Sequence, residues 1–386
     1  MKNVFLVTGG AGFLGSQIVK ELLLRGQDVV CLVRSDSSER TVAKIAQSVV
    51  RSHGDAAGSA HTIRGDVTQA MCGIAEADLD RIGPSLTAII HCAALVNFLV
   101  PRETLERNNV GGTRNIIELA RQCGKIGAGA PIPVHHVSTA YVAGKTSDTI
   151  LETDHEGPHE VPAFRNGYER SKYLAEQALR EAHDVPWSIY RPSIVVGSAE
   201  EESPEPGHSL APILKALRKS KGRVVPINQK SRIDFVNVDY VAKAVAQLAC
   251  AGESSGRTYH LVSSGQHKVH LRSILSIVNR EYRNGKPSLI PIPTMLYTWV
   301  LAPLLKIRSS TDARKVEQLA SPFVPYVAQH PRFDDSNAQA ALVQYGLKPA
   351  EPIDLFARIA RGDAGNVPAK RNRKRHTAPA SVSASA

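Results

Sequence analysis

Cysteine is scarce: the chain has five (Cys31, Cys72, Cys92, Cys123, Cys250), an odd number, scattered and never in a C-x-x-C. That excludes a disulfide framework and a zinc cluster, so no metal is expected, and it points to a reducing compartment, the cytoplasm. Long apolar runs are also missing. The longest, residues 289–307, is broken by Pro291, Pro293 and Pro303 and carries Thr294 and Thr298, which makes it a poor membrane span. A strand pattern starts at residue 3 or 4, so no secretory or transit segment is expected ahead of it. Acidic residues are absent beyond Asp363, where Lys370, Arg371, Arg373, Lys374 and Arg375 form a basic knot among Ala, Ser and Pro. Residues 363–386 therefore read as a disordered basic tail that accounts for much of the +11 net charge, and nucleic-acid binding is not expected.

What is present begins at residue 8. Thr8-Gly9-Gly10-Ala11-Gly12-Phe13-Leu14-Gly15 stands directly behind the apolar run 4–7 and ahead of a helix-period stretch. Strand, glycine turn and helix start in that order make an anion site, because the helix N-terminus offers bare N–H groups and glycines let a pyrophosphate approach the backbone. Further strand-like and helix-like segments alternate: strand 29–33, strand 62–64 with Gly65-Asp66, strand 88–91, helix 103–123, strand 134–138, helix 168–182 and strand 188–191. The order implies an α/β protein with a Rossmann-type, doubly wound parallel sheet over residues 1–197. After Gly197 the alternation breaks at an acidic, proline-bearing loop, 199–207. Residues 198–362 read mainly as a smaller α/β substrate-binding lobe, with helices near 211–219, 239–250 and 271–283 and strands near 223–227 and 258–262. Segments of about 223–250 return to the first domain.

The cofactor follows from the end of the second strand. An acid about 20 positions past the glycines holds the ribose of NAD, whereas an arginine there accommodates the 2′-phosphate of NADP. Arg34, nineteen past Gly15, is the first side chain after Val33, with Asp36 behind it and Arg40 nearby. The expectation is NADPH, with NADH the alternative. Asp66 and Val67, after the third strand, stand where a carboxylate could accept from the adenine amine.

Tyr168 and Lys172 stand four apart on a helical segment and so share one face. A nearby ammonium lowers a phenol's pKa, so Tyr168 is expected to exchange a proton with a developing alkoxide near neutral pH. Thirty residues earlier, Ser138-Thr139 offers hydroxyls at a strand's carboxyl end.

Taken together these pieces resemble the extended short-chain dehydrogenases/reductases over at least residues 3–250. The matching segments are the glycine turn, Gly65-Asp66-Val67, His91-Cys92-Ala93-Ala94, Asn109-Val110-Gly111-Gly112-Thr113, Ser138-Thr139-Ala140-Tyr141-Val142, Tyr168 with Lys172, and Arg191-Pro192-Ser193. The resemblance implies a triad of Thr139 (Ser138 as fallback), Tyr168 and Lys172, with Asn109 ordering the active-site helix and a water. It places Thr8, Gly9, Gly10, Gly12, Phe13, Leu14, Gly15, Ala93 and Ala94 around the cofactor, and Arg191, Pro192 and Ser193 beside the nicotinamide. A homodimer through the active-site helices is compatible with that family.

A narrower resemblance links Ala94-Leu95-Val96-Asn97-Phe98 with Pro101, residues 136–142, 191–195 and 234–242 to the fatty acyl-CoA reductases and to the thioester-reductase domains that end carboxylic acid reductases and peptide synthetases. It implies NADPH-dependent reduction of an acyl thioester, carried on CoA or an acyl carrier protein, to an aldehyde or onward to an alcohol. The alternative within the fold is a nucleotide-sugar epimerase, dehydratase or reductase, or a hydroxysteroid-type dehydrogenase. Lys215, Arg218, Lys219, Lys221 and Arg223 could receive CoA phosphates or an acidic carrier, or could simply complement a helix C-terminus. Residues 290–305 read as core of the smaller lobe, with an acyl tunnel or peripheral membrane contact as alternatives. His155 and His159, near Asp154 and Glu160, read as a solvated loop rather than a metal site.

Overall fold

Residues 4–8 read VFLVT, apolar at all but the last position, as expected of a strand covered on both faces. In the computed structural model, which describes residues 2–127, 129–146, 148–153, 164–200, 224–226, 232–252, 256–263, 269–282, 288–293, 326 and 331–365, this run is β1 (Val4–Thr8), an interior strand of a seven-stranded sheet. With it stand β2 (Asp28–Val33), β3 (Ala60–Arg64), β4 (Ala88–His91), β5 (Val134–Val137), β6 (Trp187–Pro192) and β7 (Arg257–Leu261). Their order is β7-β6-β5-β4-β1-β2-β3 and every pairing is parallel. The winding reverses between β1 and β4, so the connections leave in opposite directions and a crevice opens at the carboxyl ends.

Successive strand residues face opposite layers. Phe5, Val7, Val29 and Cys31 pack on α1 (Phe13–Leu24), α2 (Asp36–His53) and α7 (Val238–Cys250). Leu6, Val30, Ile89 and Val134 pack on α3 (Glu76–Ile82), α5 (Gly112–Ile126) and α6 (Gly167–Glu181). The helical run from residue 102 is not one helix: α4 (Arg102–Glu106) passes into a π-turn at Arg107–Gly111 before α5 begins. The wider turn carries Asn109, which is buried. Such turns recur where a side chain must leave the regular helical face. α2 and α3 fall in a stretch for which no helix is expected from the sequence; α2 buries only Val42 and Val49.

A second apolar cluster, including Phe235, Leu275, Val278, Leu355 and Phe356, forms the smaller lobe. Short strand pairs support it: Ile194–Val196 with Phe235–Asn237, Arg232–Ile233 with Val269–His270, and Val224–Pro226 with Ile290–Ile292. The division of the chain differs from the expected one. The strand near 258–262 belongs to the main sheet as β7, not to the lobe, because Tyr259 and Leu261 are fully buried in the α1-side core. The chain thus returns to the first domain up to residue 261, whereas 224–226 and 232–237 pair with lobe strands. The expected loop beyond Glu200, the helix 211–219, the basic cluster 215–223, His155, His159, residues 294–305 and the tail from 366 lie outside the described residues. No described helix is long and apolar enough to cross a membrane.

One buried carboxylate ties the C-terminal segment to the sheet edge. Glu152, 1% exposed, accepts from the backbone N–H of His260 in β7 (2.6 Å) and from those of Asn337 and Ala338 (2.5 and 3.2 Å), at the start of the helix Ser336–Leu342. Burial pushes its pKa up to about 7 against the pull of these three bonds, with Asp334 adding to the rise. The folded state therefore holds this proton more tightly than the unfolded chain does. The contribution is full below the ordinary carboxylate range and is lost as pH rises through about 7. The urea midpoint should fall between pH 5 and pH 8, and Glu152→Gln should flatten that decline.

Candidate active site

The turn after β1 is shaped by what it cannot accommodate. Gly9 has φ +72°, and a Cβ on it would lie 2.8 Å from the Ala93 nitrogen; a Cβ on Gly15 would lie 2.0 Å from the Gly9 carbonyl oxygen. Glycine at both positions lets α1 dock end-on against the β1 and β4 carboxyl ends. Gly12 caps α1 without any side-chain hydrogen bond, and the first turn carries no acid. The helix end is therefore open to an anion.

A cleft of about 600 Å³ runs from this end across the sheet. Thr8, Gly9, Ala11, Gly12, Phe13, Leu14 and Gly15 line one side, and Ala93, Ala94, Thr139, Tyr168, Pro192 and Ser193 line the other. Arg34, Ser38 and Val67 stand at the β2–β3 end. Arg34 is exposed and makes no ion pair with another described residue. Asp36, the acid that would compete for a ribose, is instead paired with Arg64, which also lies 3.3 Å from Glu39. An uncapped helix end, a glycine cradle and a free guanidinium on one cleft fit a dinucleotide joined by a pyrophosphate.

Four expected cofactor contacts lie elsewhere. Arg191 is not in the cleft: it is 3% exposed, its Nη2 lies 2.7 Å from Glu176 and its Nη1 is 3.4 Å from His260 Nε2. A buried carboxylate claims it. Asp66 turns back to accept from the N–H and hydroxyl of Thr68 (both 2.9 Å), leaving Gly65 and Val67 at the cleft wall. Gly10 packs under the turn against β2, where a Cβ would meet Cys31 Sγ at 2.9 Å. Lys172 is 2% exposed and lies behind the wall rather than in it.

Thr139 caps the short turn Ala140–Ala143, its Oγ1 accepting from the Tyr141 N–H at 3.4 Å, so its own hydrogen can be donated. Tyr168 sits in the first turn of α6, capped by Asn166, whose Oδ1 accepts from Glu169 N at 2.9 Å. Lys172 donates to the Val137 carbonyl (2.7 Å) and to His136 Nε2 (3.1 Å). The expectation that Lys172 draws the phenol's pKa down does not hold here. Burial pushes the Tyr168 phenol above its ordinary value, and Cys92 and Glu169 add to the rise. Burial brings Lys172 down to about 8, opposed by Glu176 and Cys92. A phenol so placed stays protonated at neutral pH, the state of a proton donor. Asn109 does not line the cleft. Its side chain pins Leu95 N and O (2.8 and 3.2 Å) and donates to Ser171 Oγ (2.8 Å), tying the loop after β4 to α6.

Two further aromatic residues, Phe98 and Tyr326, stand at the cleft. Phe98 meets Tyr168 edge-on at 5.8 Å between ring centres and lies 6.1 Å from Tyr326. Tyr326, from far along the chain, packs edge-on against Tyr141 at 5.0 Å and accepts from Asn166 Nδ2 at 2.8 Å. Phe98 belongs to the 94–98 segment that carried the narrower resemblance. Nothing local in sequence marks Tyr326.

This geometry defines an NAD(P)-dependent oxidoreductase of the extended short-chain dehydrogenase/reductase type. Residues 7–245 match the male sterility protein family of NAD-binding domains, and the chain belongs to that family. It is 27% identical over 266 residues to a linear gramicidin synthase of Brevibacillus parabrevis and 25% identical over 304 residues to a carboxylic acid reductase of Mycobacterium tuberculosis. These matches take in 67% and 71% of this chain but only 5% and 26% of those longer proteins. Among solved structures, the terminal R domain of the myxalamid PKS-NRPS pathway superposes with TM-score 0.75 at 25% identity, covering 93% of this chain and 90% of that one. The reductase domain of a nonribosomal peptide synthetase from Mycobacterium tuberculosis gives 0.70 at 20% identity over 94% and 92%.

Loss of the Glu176 pairing separates the structural reading of Arg191 from a cofactor role. Breaking a buried ion pair costs about 3–5 kcal/mol. Arg191→Leu should lower unfolding stability by that order, while the NAD(P)H affinity of the folded fraction, read by fluorescence titration, stays within about threefold of wild type.

Proposed function

We propose that the protein reduces an acyl thioester, presented on CoA or on a carrier protein, to the aldehyde with NADPH, and that the aldehyde is released or carried on to the alcohol. The observation that carries this reading is a single cleft with an anion-ready helix end and a free Arg34 at one end, and hydroxyls beside an apolar wall at the other. Around the hydroxyls of Thr139, Tyr168 and Ser193, the described walls are apolar, with Leu95, Val96, Phe98 and Ile194 among them, and Arg34 is the one charged residue among the described residues that line the cleft. Such a wall suits an uncharged acyl chain next to a reacting carbonyl; a sugar diphosphate would ask for cations there. The likeness to a carboxylic acid reductase and to R domains of peptide synthetases supports the same reaction class.

Arg34 would hold the 2′-phosphate, the α1 N-terminus the pyrophosphate, and Pro192 and Ser193 would flank the nicotinamide. The reduced nicotinamide supplies the hydride. Thr139 and Tyr168 would donate hydrogen bonds to the carbonyl oxygen as negative charge develops on it, an oxyanion site fixed in advance by the Tyr141 N–H bond to Thr139 and by the α6 cap. Tyr168, kept protonated by burial, would pass its proton to that oxygen. Collapse of the resulting hemithioacetal releases the thiol.

Arg34→Ala should weaken NADPH binding by about tenfold or more, the worth of a charge-assisted phosphate contact, and leave NADH binding unchanged. Oxidation of NADPH with a panel of acyl-CoAs, acyl carrier proteins and UDP-sugars tests the substrate. Turnover of thioesters that drops about a hundredfold or more in Tyr168→Phe, at little cost in cofactor affinity, is expected. Turnover of a sugar nucleotide alone would replace the proposal.

A further inference from the structure

Behind the cleft, the α5–α6 face of the sheet carries a row of polar side chains where strands are usually apolar. Thr8 of β1 stands in register with His91 of β4, and His91 with His136 of β5. All three are buried, His136 completely. Thr8 Oγ1 lies 2.8 Å from His91 Nδ1 and accepts from the Ala93 N–H at 3.2 Å. The two imidazoles follow with ring centres 5.2 Å apart. Lys172 of α6 closes the row, its Nζ 3.1 Å from His136 Nε2 and 2.7 Å from the Val137 carbonyl oxygen.

We propose that His136 is a positioning residue for the reaction: its Nε2 accepts a hydrogen bond from Lys172 and, together with the Val137 carbonyl, fixes the direction of the amine, which stands one helical turn along α6 from Tyr168. Lys172 has hydrogens to give and His136 receives one, so Nε2 carries the lone pair and the ring proton sits on Nδ1. Nδ1 has no hydrogen-bond partner among the described residues. A buried donor left unmade is unfavourable, and a leucine would fill the same space without that defect. The ring is thus kept in the tautomer that serves Lys172 at a loss to itself. Its surroundings keep it an acceptor: burial, then Lys172, His91 and Arg180, hold the His136 imidazole well below its ordinary pKa, so it stays neutral. The charged or titratable groups facing the amine are His91, Cys92, Glu176 and, through Glu176, Arg180 and Arg191. Beside these groups stands His136, the described side chain within hydrogen-bond distance of Nζ.

This inference rests on Lys172 serving the proposed reduction, but its test does not need the substrate. Lysine labelled with 13C and 15N, in the full chain with NADP+ bound, reports the titration of Lys172 by NMR. The wild-type midpoint is expected below the ordinary lysine value, the direction set by burial. His136→Leu and His136→Phe, which fill the space but accept nothing, should move it down by about one pH unit or more, because the ammonium loses its acceptor. His136→Gln, with an oxygen at similar reach, should restore it. His135→Leu is the control: His135 points to the opposite face, where its Nδ1 meets Tyr190 Oη at 2.9 Å, and its loss should cost stability without moving Lys172. Where a thioester is turned over, the Leu and Phe variants should lose about tenfold or more in kcat with little change in the KM for NADPH, and the Gln variant should recover most of it. A Lys172 midpoint that is the same in wild type, His136→Leu and His136→Phe overturns the assignment. So does a shift of equal size in His135→Leu. Absence of thioester turnover in the wild type would instead count against the proposed function and leave the titration result to decide this one.

Discussion

The close approach of the Gly9 carbonyl to the α carbon of Gly15 is the constraint on which the site depends. No side chain, not even a methyl group, fits between them. That contact sets the angle at which α1 leaves the sheet, and with it the direction of the helix end and the position of Thr8, which reaches both Ala93 and His91. A helix held a little further off would leave its N-terminal groups pointing past the crevice. It would also disengage the β1 and β4 carboxyl ends that frame the cleft. One steric fact on the backbone thus fixes the anion end, the cleft floor and the first member of the buried polar row.

One buried carboxylate, Glu176, gathers two guanidiniums on the inner side of α6. Burial alone would raise Glu176, but Arg191 and Arg180 outweigh it and hold its pKa at about 2. Glu176 in turn is the charge that most opposes deprotonation of Lys172 one helical turn away. With Arg191 on β6 and Arg180 reaching Thr258 of β7, the pair and its neighbours join α6 to two strands. Such pairs are weak sources of net stability compared with apolar packing. Their value here is positional: the helix bearing Tyr168 and Lys172 cannot rotate without stranding a buried charge.

Much of this was legible in the sequence, and for identifiable reasons. The glycine turn, the alternation of elements and the Tyr168–Lys172 spacing are local, and local patterns survive without knowledge of tertiary contacts. Where structure and expectation differ, a side chain already engaged within the protein is one cause, and burial is another. Arg191 follows the family pattern but is claimed by Glu176, and Asp66 by Thr68. The phenol of Tyr168 is raised rather than lowered because burial, which spacing does not reveal, outweighs a neighbouring amine that bonds elsewhere. Tyr326 could not be found at all, since it reaches the cleft from a segment with no motif. Nothing in the five residues of β7 says which sheet they join.

The clamp at Glu152 bears on where this chain can be divided. The sheet is topologically complete at Leu261, yet the helix Ser336–Leu342 adds Ala338 and Leu342 to the α1-side core and anchors beside β7 through that carboxylate. A recombination boundary drawn after the last strand would sever those bonds, strip the outer flank of the sheet and expose an acid evolved for shelter. The nucleotide-binding half and the distal helix therefore form one discontinuous unit, with segments of the lobe both between them and, at Leu355 and Phe356, beyond them.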